Sequence, residues 1–448
     1  QLINQLSEMV SVSNVEQSDG SVNVFIGNGQ ALVVGTQNYS LQTQINEAEP
    51  DRLDILLVGD GGVGNVVTQS LSGGMLGGYL KFREEVLDPS ENALGRLATG
   101  LAYAFNEQHE LGMDYNGELG GKFFVIPDPA DNNADQSYLD QMVLAVTNTN
   151  GNTPSVSAID AGQLSTADYE LKFDGTNWTL KNRQSQQTQT VTLTGTEITF
   201  DGVTVDLGSG TYADGDMFVI RPTRLASRAF EVAINDARQI AAASPVSIER
   251  GAANDGSAEI VNDEITSALT SPLTTFSVDL TVSGGVLTGT PDLSIDTDVV
   301  NGYILDIAGG QIKFQLSGAA QDGDVFTFSR DITDPVPVGD NRNMLQLANL
   351  RTDKVMREDT NGNGTSSFTD VYSSLIGDVG AKTRQAMINN ATQQRLREQA
   401  QNSFDELSGV NLDEEAANLV YYQQAYQAAT QVIRVSNQLF DTLLNAVG

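Results

Sequence analysis

Three glycines, Gly59, Gly61 and Gly64, stand in a G-x-G-x-x-G pattern directly after the apolar run 52–58. In dinucleotide-binding proteins this pattern links a strand to a helix whose N-terminus holds a pyrophosphate. Here the next residues, 65–80, contain four more glycines and show no sustained helical periodicity, and no further strand–helix–strand units follow. The sequence therefore favours a tight glycine turn between strands over a nucleotide loop.

A second polar pattern, at residues 359–370, matches a calcium-binding EF-hand loop in part. Asp359, Asn361 and Asn363 fall at its first, third and fifth positions, Gly364 at the sixth and Asp370 at the twelfth. The twelfth residue of an EF-hand is normally a bidentate Glu, and only two of the ligands here carry charge. We interpret the segment as a polar turn between two helices, with weak calcium binding as the alternative.

His109 is the only histidine, and the chain has no cysteine. The run 109–113 begins like the H-E-x-x-H zinc motif, but Met113 stands where the second histidine belongs. These counts argue against a zinc peptidase and against a hydrolase that relies on another histidine. No carboxylate pair stands beside an aromatic cluster that could hold a sugar, and we interpret the single tryptophan, Trp178, as a packing residue. The sequence predicts no catalytic residue, no cofactor and no metal.

The chain is strongly acidic, with 58 Asp and Glu against 24 Lys and Arg and a net charge of −34. Nucleic acids and anionic membrane surfaces would repel it, because both are bound through Lys and Arg. No run approaches the roughly 18 consecutive apolar residues of a membrane-spanning helix. We therefore expect neither nucleic acid nor membrane as a partner. The absence of cysteine fits a protein exported without oxidative folding.

The first elements have clear patterns. Residues 1–10 look like the continuation of a helix, and we expect that upstream sequence is missing. Residues 21–35 alternate apolar and polar side chains about a Gly-Asn-Gly turn, which predicts a hairpin, and 52–58 predicts a strand. The clearest helix runs from Asp88, a potential cap, to Gly112, which would end it.

The middle of the chain, from about residue 136 to 335, predicts antiparallel β-structure. Short alternating runs rich in Thr, Val, Phe and Tyr are separated by Gly, Asp and Asn. Residues 213–222 and 321–330 repeat a DGD turn that leads into a strand, and this repeat indicates two β modules. Helix returns at about residue 341.

We therefore predict an α+β multidomain fold, in which a helical stem built from both chain ends carries two inserted antiparallel β modules and a long C-terminal coiled-coil-type helix. The predicted domains are the N-terminal part of the stem (1–135), the first β module (136–225), the second β module (226–337), the C-terminal part of the stem (338–408) and a C-terminal assembly helix (409–448).

Residues 411–448 predict one long helix with an apolar seam. Every seventh residue from Leu412 is apolar, and flanking positions widen the seam. Asn411 can start this helix, and Glu414 can complete a capping box. The candidate assembly residues are Leu412, Leu419, Tyr422, Tyr426, Ala429, Ile433, Leu439, Phe440, Leu443 and Val447.

The remaining faces of this helix are polar but almost uncharged. From Ala416 onward only Arg434 and Asp441 carry charge. Uncharged polar groups can be buried against other chains at modest cost when they are paired. The other long predicted helix, 366–408, is polar in its second half and makes a poor full-length partner. We favour a helix enclosed by other chains, with an internal core helix of a monomer as the alternative.

The tail, 408–445, resembles the C-terminal signature of the bacterial flagellar axial family of rod, hook and hook-associated proteins. The run NLDEEAANLVYYQQAYQAA (411–429) carries most of this resemblance. Residues 1–35, 71–120 and 339–350 are similar to the hook-associated proteins of the hook–filament junction. The resemblance is weak over the β middle, where we interpret the second module, from about 255 to 335, as an insertion.

This resemblance implies a structural adaptor of the extracellular flagellum, exported unfolded through the flagellar type III apparatus with an export chaperone. The implied partners are identical neighbouring subunits, the hook protein and the second junction protein. In this family the terminal helices pair in an inner tube and the β domains face outward. The family's long N-terminal helix has no counterpart here, so the resemblance implies that the chain as given does not assemble normally.

Two other interpretations stay open. The chain could be another axial protein, such as hook or distal rod, although the first 120 residues favour a hook-associated protein. Alternatively, a β module has a carbohydrate-binding or adhesive activity of its own, or hydrolyses a substrate with carboxylates.

Overall fold

The computed structural model describes residues 2–447 apart from 47, 48, 50, 51, 60, 63, 132–135, 291, 335–338, 359–362 and 409–411. The chain forms two compact units, Gln1–Val379 and Gly380–Gly448. Within the described residues, no helix has the length and apolar character to cross a lipid bilayer. The predicted α+β class, with antiparallel sheets and a long C-terminal helix, is confirmed.

The N-terminal part of the first unit combines short helices with two small antiparallel sheets. One sheet pairs β1 to β4 in chain order, and the other pairs β5 to β7. The predicted hairpin at 21–35 and strand at 52–58 are confirmed. The elements are α1 (Leu2–Met9), β1 (Val12–Glu16), β2 (Val22–Ile26), β3 (Gln30–Val34), β4 (Gln37–Asn38), β5 (Ser40–Ile45), β6 (Leu53–Val58), β7 (Gly64–Val66), α2 (Gly74–Phe82), α3 (Asp88–Glu110) and β8 (Phe124–Val125).

The glycine pattern 59–64 lies between β6 and β7, which are antiparallel neighbours. Leu56 opposes Val66, and Val58 opposes Gly64. A Cβ atom at Gly64 would lie 2.9 Å from side-chain carbons of Leu56 and Val58, so a larger residue there would require these side chains to move. The expectation of a turn between strands is confirmed, because a strand and not a phosphate-binding helix follows these glycines.

The helix predicted to begin at Asp88 begins earlier. α2, a π-helical segment Arg83–Leu87 and α3 follow one another directly, so the prediction that Asp88 caps the helix is wrong. The Asp88 carboxylate instead accepts a hydrogen bond of 2.6 Å from Arg52. The expectation of no helix in 65–80 is also wrong. A Cβ atom at Gly74 would lie 2.3 Å from the carbonyl carbon of Met9, so the start of α2 packs closely on the end of α1, and this packing overrides the low helix propensity of glycine.

Two antiparallel sheets follow α4 (Gln136–Asp140) and share one apolar core. The strand orders are β13-β12-β11-β16-β9 and β10-β15-β14. The indole ring of Trp178 is buried, and its centroid lies 4.9 Å from the rings of Phe173 and Tyr212, so its predicted packing role is confirmed. The strands are β9 (Val143–Thr147), β10 (Ser155–Ile159), β11 (Tyr169–Phe173), β12 (Trp178–Asn182), β13 (Thr188–Val191), β14 (Glu197–Phe200), β15 (Val203–Asp206) and β16 (Met217–Ile220).

A second pair of sheets comes after α5 (Ala226–Ala229) and β17 (Glu231–Val232), the strand that pairs with β8. The strand orders are β18-β25-β20-β21 and β19-β24-β23-β22, and a separate apolar core lies between these sheets. The strands are β18 (Ser247–Arg250), β19 (Glu259–Ser267), β20 (Phe276–Ser283), β21 (Val286–Thr288), β22 (Leu293–Asp296), β23 (Gly302–Ile307), β24 (Gly310–Ser317) and β25 (Val325–Arg330).

The DGD repeat forms the same turn in both places. The Asp216 carboxylate accepts a hydrogen bond from the backbone N–H of Ala213 at 2.8 Å, just before β16. The Asp324 carboxylate accepts the corresponding bond from Gln321 at 2.9 Å, just before β25. Both Asp side chains are buried. The repeat therefore marks a turn whose last aspartate bonds back to the chain three residues earlier.

Helix returns with α6 (Arg342–Asn349), α7 (Phe368–Ser408) and α8 (Leu412–Val447). Leu347 in α6 and Val371 in α7 are buried in one apolar cluster, against which Leu97 and Leu101 of α3 pack. Residues from both ends of the sequence thus share a core within the first unit. The long helix predicted at about 366–408 is confirmed as α7.

His109 ties three segments together near the end of α3. Its ring is fully buried, Nδ1 lies 2.7 Å from the carbonyl oxygen of Gly121, and the backbone N–H of Ala241 donates to Nε2 at 2.9 Å. Nε2 must therefore be unprotonated, and Nδ1 carries the hydrogen. Burial lowers the pKa of His109, and the Gly121 carbonyl and the Asp114 carboxylate oppose this shift only in part.

Lowering the pH from about 7.5 to about 5.5 is expected to destabilise the first unit through His109. The unfolded chain takes up a proton near pH 6.5, whereas the folded ring takes it up only at lower pH, so this stability is present above about pH 6.5 and is lost as the pH falls from there through the folded pKa. Urea unfolding should show a loss about 1 kcal/mol larger for the wild type than for His109→Gln. An equal loss in both proteins would contradict this role of the ring.

Candidate assembly surface

α8 presents an uncovered apolar seam in the second unit. The helix has 36 residues, which corresponds to a rod of about 54 Å. Tyr426 is 76% exposed, Phe440 66% and Ile433 61%. The other exposed members of the predicted set are Leu419, Tyr422, Ala429, Leu439 and Leu443. The side chains of Leu412 and Val447 lie outside the described residues.

The helix geometry brings these side chains together along one side, because their spacing of seven and three or four residues follows the helical repeat. Full burial of one large apolar side chain contributes about 1.5–3 kcal/mol. A second helix lying along the seam could cover several of them at once. The seam therefore has the geometry of a helix-pairing surface.

Two rows of polar residues lie opposite the seam. The glutamine row contains Gln424, Gln431 and Gln438, and the charged row contains Gln427, Arg434 and Asp441. Two hydroxyls of α8 already bond within the helix: Thr430 Oγ1 donates to the carbonyl oxygen of Tyr426 at 2.8 Å, and Thr442 Oγ1 to that of Gln438 at 2.6 Å. A neighbouring chain can cover such hydroxyls without leaving a donor unpaired.

The segment 359–370, for which weak calcium binding was the alternative to a polar turn, lies only partly within the described residues, because Asp359 and Asn361 fall outside them. The carboxylate of Asp370, the twelfth position of the pattern, is engaged in hydrogen bonds with Ser367. It accepts hydrogen bonds from the backbone N–H and the Oγ of Ser367 at 3.0 and 2.8 Å, and Ser367 Oγ accepts from the N–H of Asp370. This reciprocal pattern is a capping box at the start of α7. Over the described residues, no group of three His, Asp or Glu side chains could hold a metal ion.

A buried charge cluster, which the sequence analysis did not predict, fastens the β5–β6 connection to the first pair of β-sheets. The Glu49 carboxylate lies 2.5 Å from Arg52, 3.0 Å from Arg183 and 3.1 Å from Arg224. Arg224 also pairs with Asp168. Burial alone would raise the pKa of Glu49, but the guanidinium groups of Arg52, Arg224 and Arg183 outweigh burial and the pKa is lowered.

A second charge cluster fastens the other pair of β-sheets to α6. Arg342 donates from Nη1 to Asp263 at 2.6 Å, from Nη2 to the carbonyl oxygen of Val246 at 2.8 Å, and from Nε and Nη2 to Asp340.

The sequence signal that could have revealed both charge clusters is the scarcity of basic residues. In a chain with 24 Lys and Arg, two arginines separated by two residues (Arg221 and Arg224) or an arginine next to an Asp-rich turn stand out.

The sequence matches three family models. Residues 1–124 match "Flagellar hook-associated protein FlgK helical domain". Residues 145–222 match "Flagellar hook-associated protein 1, D2-like domain", and residues 401–446 match "Flagellar basal body rod FlgEFG protein C-terminal". The last match covers most of α8.

Whole-chain comparisons agree with these matches. The chain is 30% identical over 449 residues to flagellar hook-associated protein 1 of Escherichia coli K12, and 29% identical over 450 residues to that of Salmonella typhimurium LT2. Each alignment covers 99% of this chain but only 62% and 63% of the two relatives. The flagellar hook junction protein FlgK of Burkholderia pseudomallei has a solved structure that matches with a TM-score of 0.75 and 30% identity, over 90% of this chain and 78% of that one. The chain belongs to the flagellar hook-associated protein 1 family.

Proposed function

We propose that this chain is a non-enzymatic structural subunit of the bacterial flagellum, an adaptor at the hook–filament junction that polymerises through α8. The observation that carries the proposal is the long apolar seam of α8, which lies uncovered on a helix that has only two charged residues from Ala416 onward. Residues 401–446, which include most of α8, match the C-terminal family model of flagellar rod proteins, and this match supports the proposal. A segment that resembles rod proteins is expected to have the same assembly role as in those proteins.

The proposed partners follow from the same surface. Identical neighbouring subunits would cover the seam, and the hook protein and the second junction protein would contact the faces of the resulting ring. An export chaperone would bind the seam before assembly, because an exposed apolar stripe of this length favours aggregation. The proposed location is the extracellular part of the flagellum, reached by type III export. The β modules, 136–225 and 226–337, would face outward from the helical stem.

Deletion of residues 411–448 is the direct test of the role of α8. Cells in which the deleted form replaces the native protein should build hooks but no filaments, as seen by electron microscopy, and should not swim. Immunoblots of the culture medium must show that the deleted form is still exported, so that loss of filaments reports assembly. Normal filaments on cells with the deleted form would disprove the assembly role of α8.

A further inference from the structure

α2 has two apolar sides, and only one of them is covered. On the first side, Leu76 and Leu80 pack on the apolar core of the N-terminal sheets. On the second side, Met75 is 55% exposed, Tyr79 66% and Phe82 55%. These three residues follow one another at intervals of four and three positions, so they lie along one line of the helix surface. A surface helix normally has polar residues on its uncovered sides, and α2 does not.

The π-helical segment after α2 extends the uncovered apolar side onto α3. The N–H of Asp88 donates to the carbonyl oxygen of Arg83, five residues earlier, so this turn is wider than an α-helical turn. In an α-helix, at 100° per residue, Phe82 and Leu87 would point about 140° apart. The wide turn brings Leu87 back towards the side of Phe82, and Leu94 follows seven residues later. Leu87 and Leu94 are each 41% exposed. The outer stripe consists of Met75, Tyr79, Phe82, Leu87 and Leu94.

The composition of the outer stripe is typical of a protein–protein contact. Tyr, Phe and Met are enriched in such interfaces, and the interface core is poor in charged residues. None of the five side chains is charged, in a chain with 58 Asp and Glu. A membrane surface fits less well, because membrane-bound amphipathic helices carry Lys and Arg beside their apolar side. Residues 75–94 instead contain two basic and four acidic residues.

The size of the outer stripe fits a contact between chains that are already held together elsewhere. Its exposed surface is on the order of 500 Å², since a large side chain can bury about 150–250 Å². A stable interface between free proteins buries about 800 Å² on each partner. The stripe alone is therefore too small to hold two free chains together. It would strengthen an association through α8, because a second contact between linked chains forms at a high effective concentration.

We propose that the outer stripe contacts a second copy of this chain in the assembled flagellum and forms a subunit contact in addition to α8. Each copy has a net charge of −34, so two copies repel each other least where the contacting surface carries no charge. Repetition of one such contact around a ring would cover the stripe of every subunit. This inference rests on the proposed function, because α8 must first bring the copies together.

Photo-cross-linking tests which molecule covers the outer stripe. The photoreactive amino acid p-benzoylphenylalanine replaces Tyr79 of the native protein in living cells. Tyr115, which is 70% exposed and lies outside the stripe, receives the same group as the control. After irradiation of purified hook–filament structures, the protein labelled at Tyr79 should move on denaturing gels to twice the mass of one chain. Mass spectrometry should identify both linked peptides as this protein, and the label at Tyr115 should give much less of this product.

The outcomes separate this inference from the proposed function. If the chain is present in the purified structures but the label at Tyr79 gives no dimer, the inference is overturned and the proposed function stands. A cross-link only to the hook protein or to the second junction protein, or an equal dimer yield from Tyr115, would overturn the inference in the same way. Absence of the chain from the purified structures would overturn the proposed function, and the inference with it.

Tyr79→Asp measures what the contact contributes to assembly. In the isolated chain the helix content and the Tm should stay close to those of the wild type, because the side chain is exposed. On cells, the fraction of filaments that survive shearing should fall several-fold, since every subunit contact loses an apolar ring and gains a charge. Tyr115→Asp, the same change at an exposed tyrosine outside the stripe, should leave this fraction unchanged. Equal survival with the two variants would contradict the outer stripe as a subunit contact.

Discussion

Replacing Ile433 by Asp is expected to weaken subunit association about a hundredfold and to leave cells without filaments. Ile433 lies in the middle of the α8 seam and is 61% exposed in the isolated chain. In the assembly the change removes about 1.5–3 kcal/mol of apolar burial and places a carboxylate in the seam, and about 3 kcal/mol corresponds to a hundredfold weaker association. Electron microscopy of filaments and swimming assays measure the result.

The isolated chain provides the control for Ile433→Asp. Because the side chain is exposed there, the helix content by circular dichroism and the urea midpoint of the first unit should not change. A loss of helix content would show that the variant damages the subunit itself. Normal filaments on cells that carry the variant would contradict the seam as the assembly surface.

Substitutions in the two polar rows of α8 can distinguish a helix that is enclosed by several chains from a helix that pairs with a single partner. Gln431→Glu places a charge in the glutamine row, and Gln427→Glu places the same charge in the row that already contains Arg434 and Asp441. If neighbouring chains enclose the helix, Gln431→Glu should reduce filament number strongly, whereas Gln427→Glu should have little effect. Equal and normal filament numbers for both would indicate that only the seam is covered.

Replacing Glu49 by Gln is expected to lower the free energy of unfolding of the first unit by about 3–5 kcal/mol. Glu49 is 3% exposed and contacts three guanidinium groups at 2.5 to 3.1 Å. Without its charge, Arg224 and its neighbours repel one another in a buried site. Urea unfolding at neutral pH, followed by tryptophan fluorescence of Trp178, measures the change.

The matched control is Asp236→Asn, at an exposed pair with Arg238 whose loss should lower the free energy of unfolding much less. The pH dependence gives a second check. Because the pKa of Glu49 is lowered in the folded chain, its stabilisation is present above about pH 4.3 and is lost as the pH falls through the folded value. The difference between wild type and Glu49→Gln should therefore shrink below about pH 4. A constant difference would assign the effect to packing instead of charge.

Local patterns in the sequence were sufficient for much of this fold. Alternation about a Gly-Asn-Gly turn predicted β2 and β3, and the repeated DGD motif predicted a turn before β16 and β25. Heptad spacing predicted α8. Each of these signals is local, because the residues that form the element or turn are neighbours in the sequence.

The features that the sequence did not predict depend on contacts between distant residues. α2 forms although it contains Gly74, Gly77 and Gly78, because Gly74 packs closely against the backbone of Met9 and Val10 at the end of α1. Asp88 does not cap α3 because the helix already begins upstream of it, and its carboxylate instead binds Arg52 from 36 residues away. The Glu49 cluster joins residues up to 175 positions apart. No pattern within a short window can reveal such pairs.

The wide sequence separation within the stem also sets an order of events when the chain first folds. Gln108 at the end of α3 donates to Asn343 of α6 across 235 residues. Hairpins such as β23–β24 need only a short turn to close, whereas the stem must first close a loop that contains both β-sheet pairs, and this closure is entropically costly and slow. The sheets should therefore acquire their cores early, and the apolar face of α3 should stay open until α6 arrives. The rate-limiting step, and the interval of greatest exposure to proteases and aggregation, then belong to the stem and not to the β-sheets.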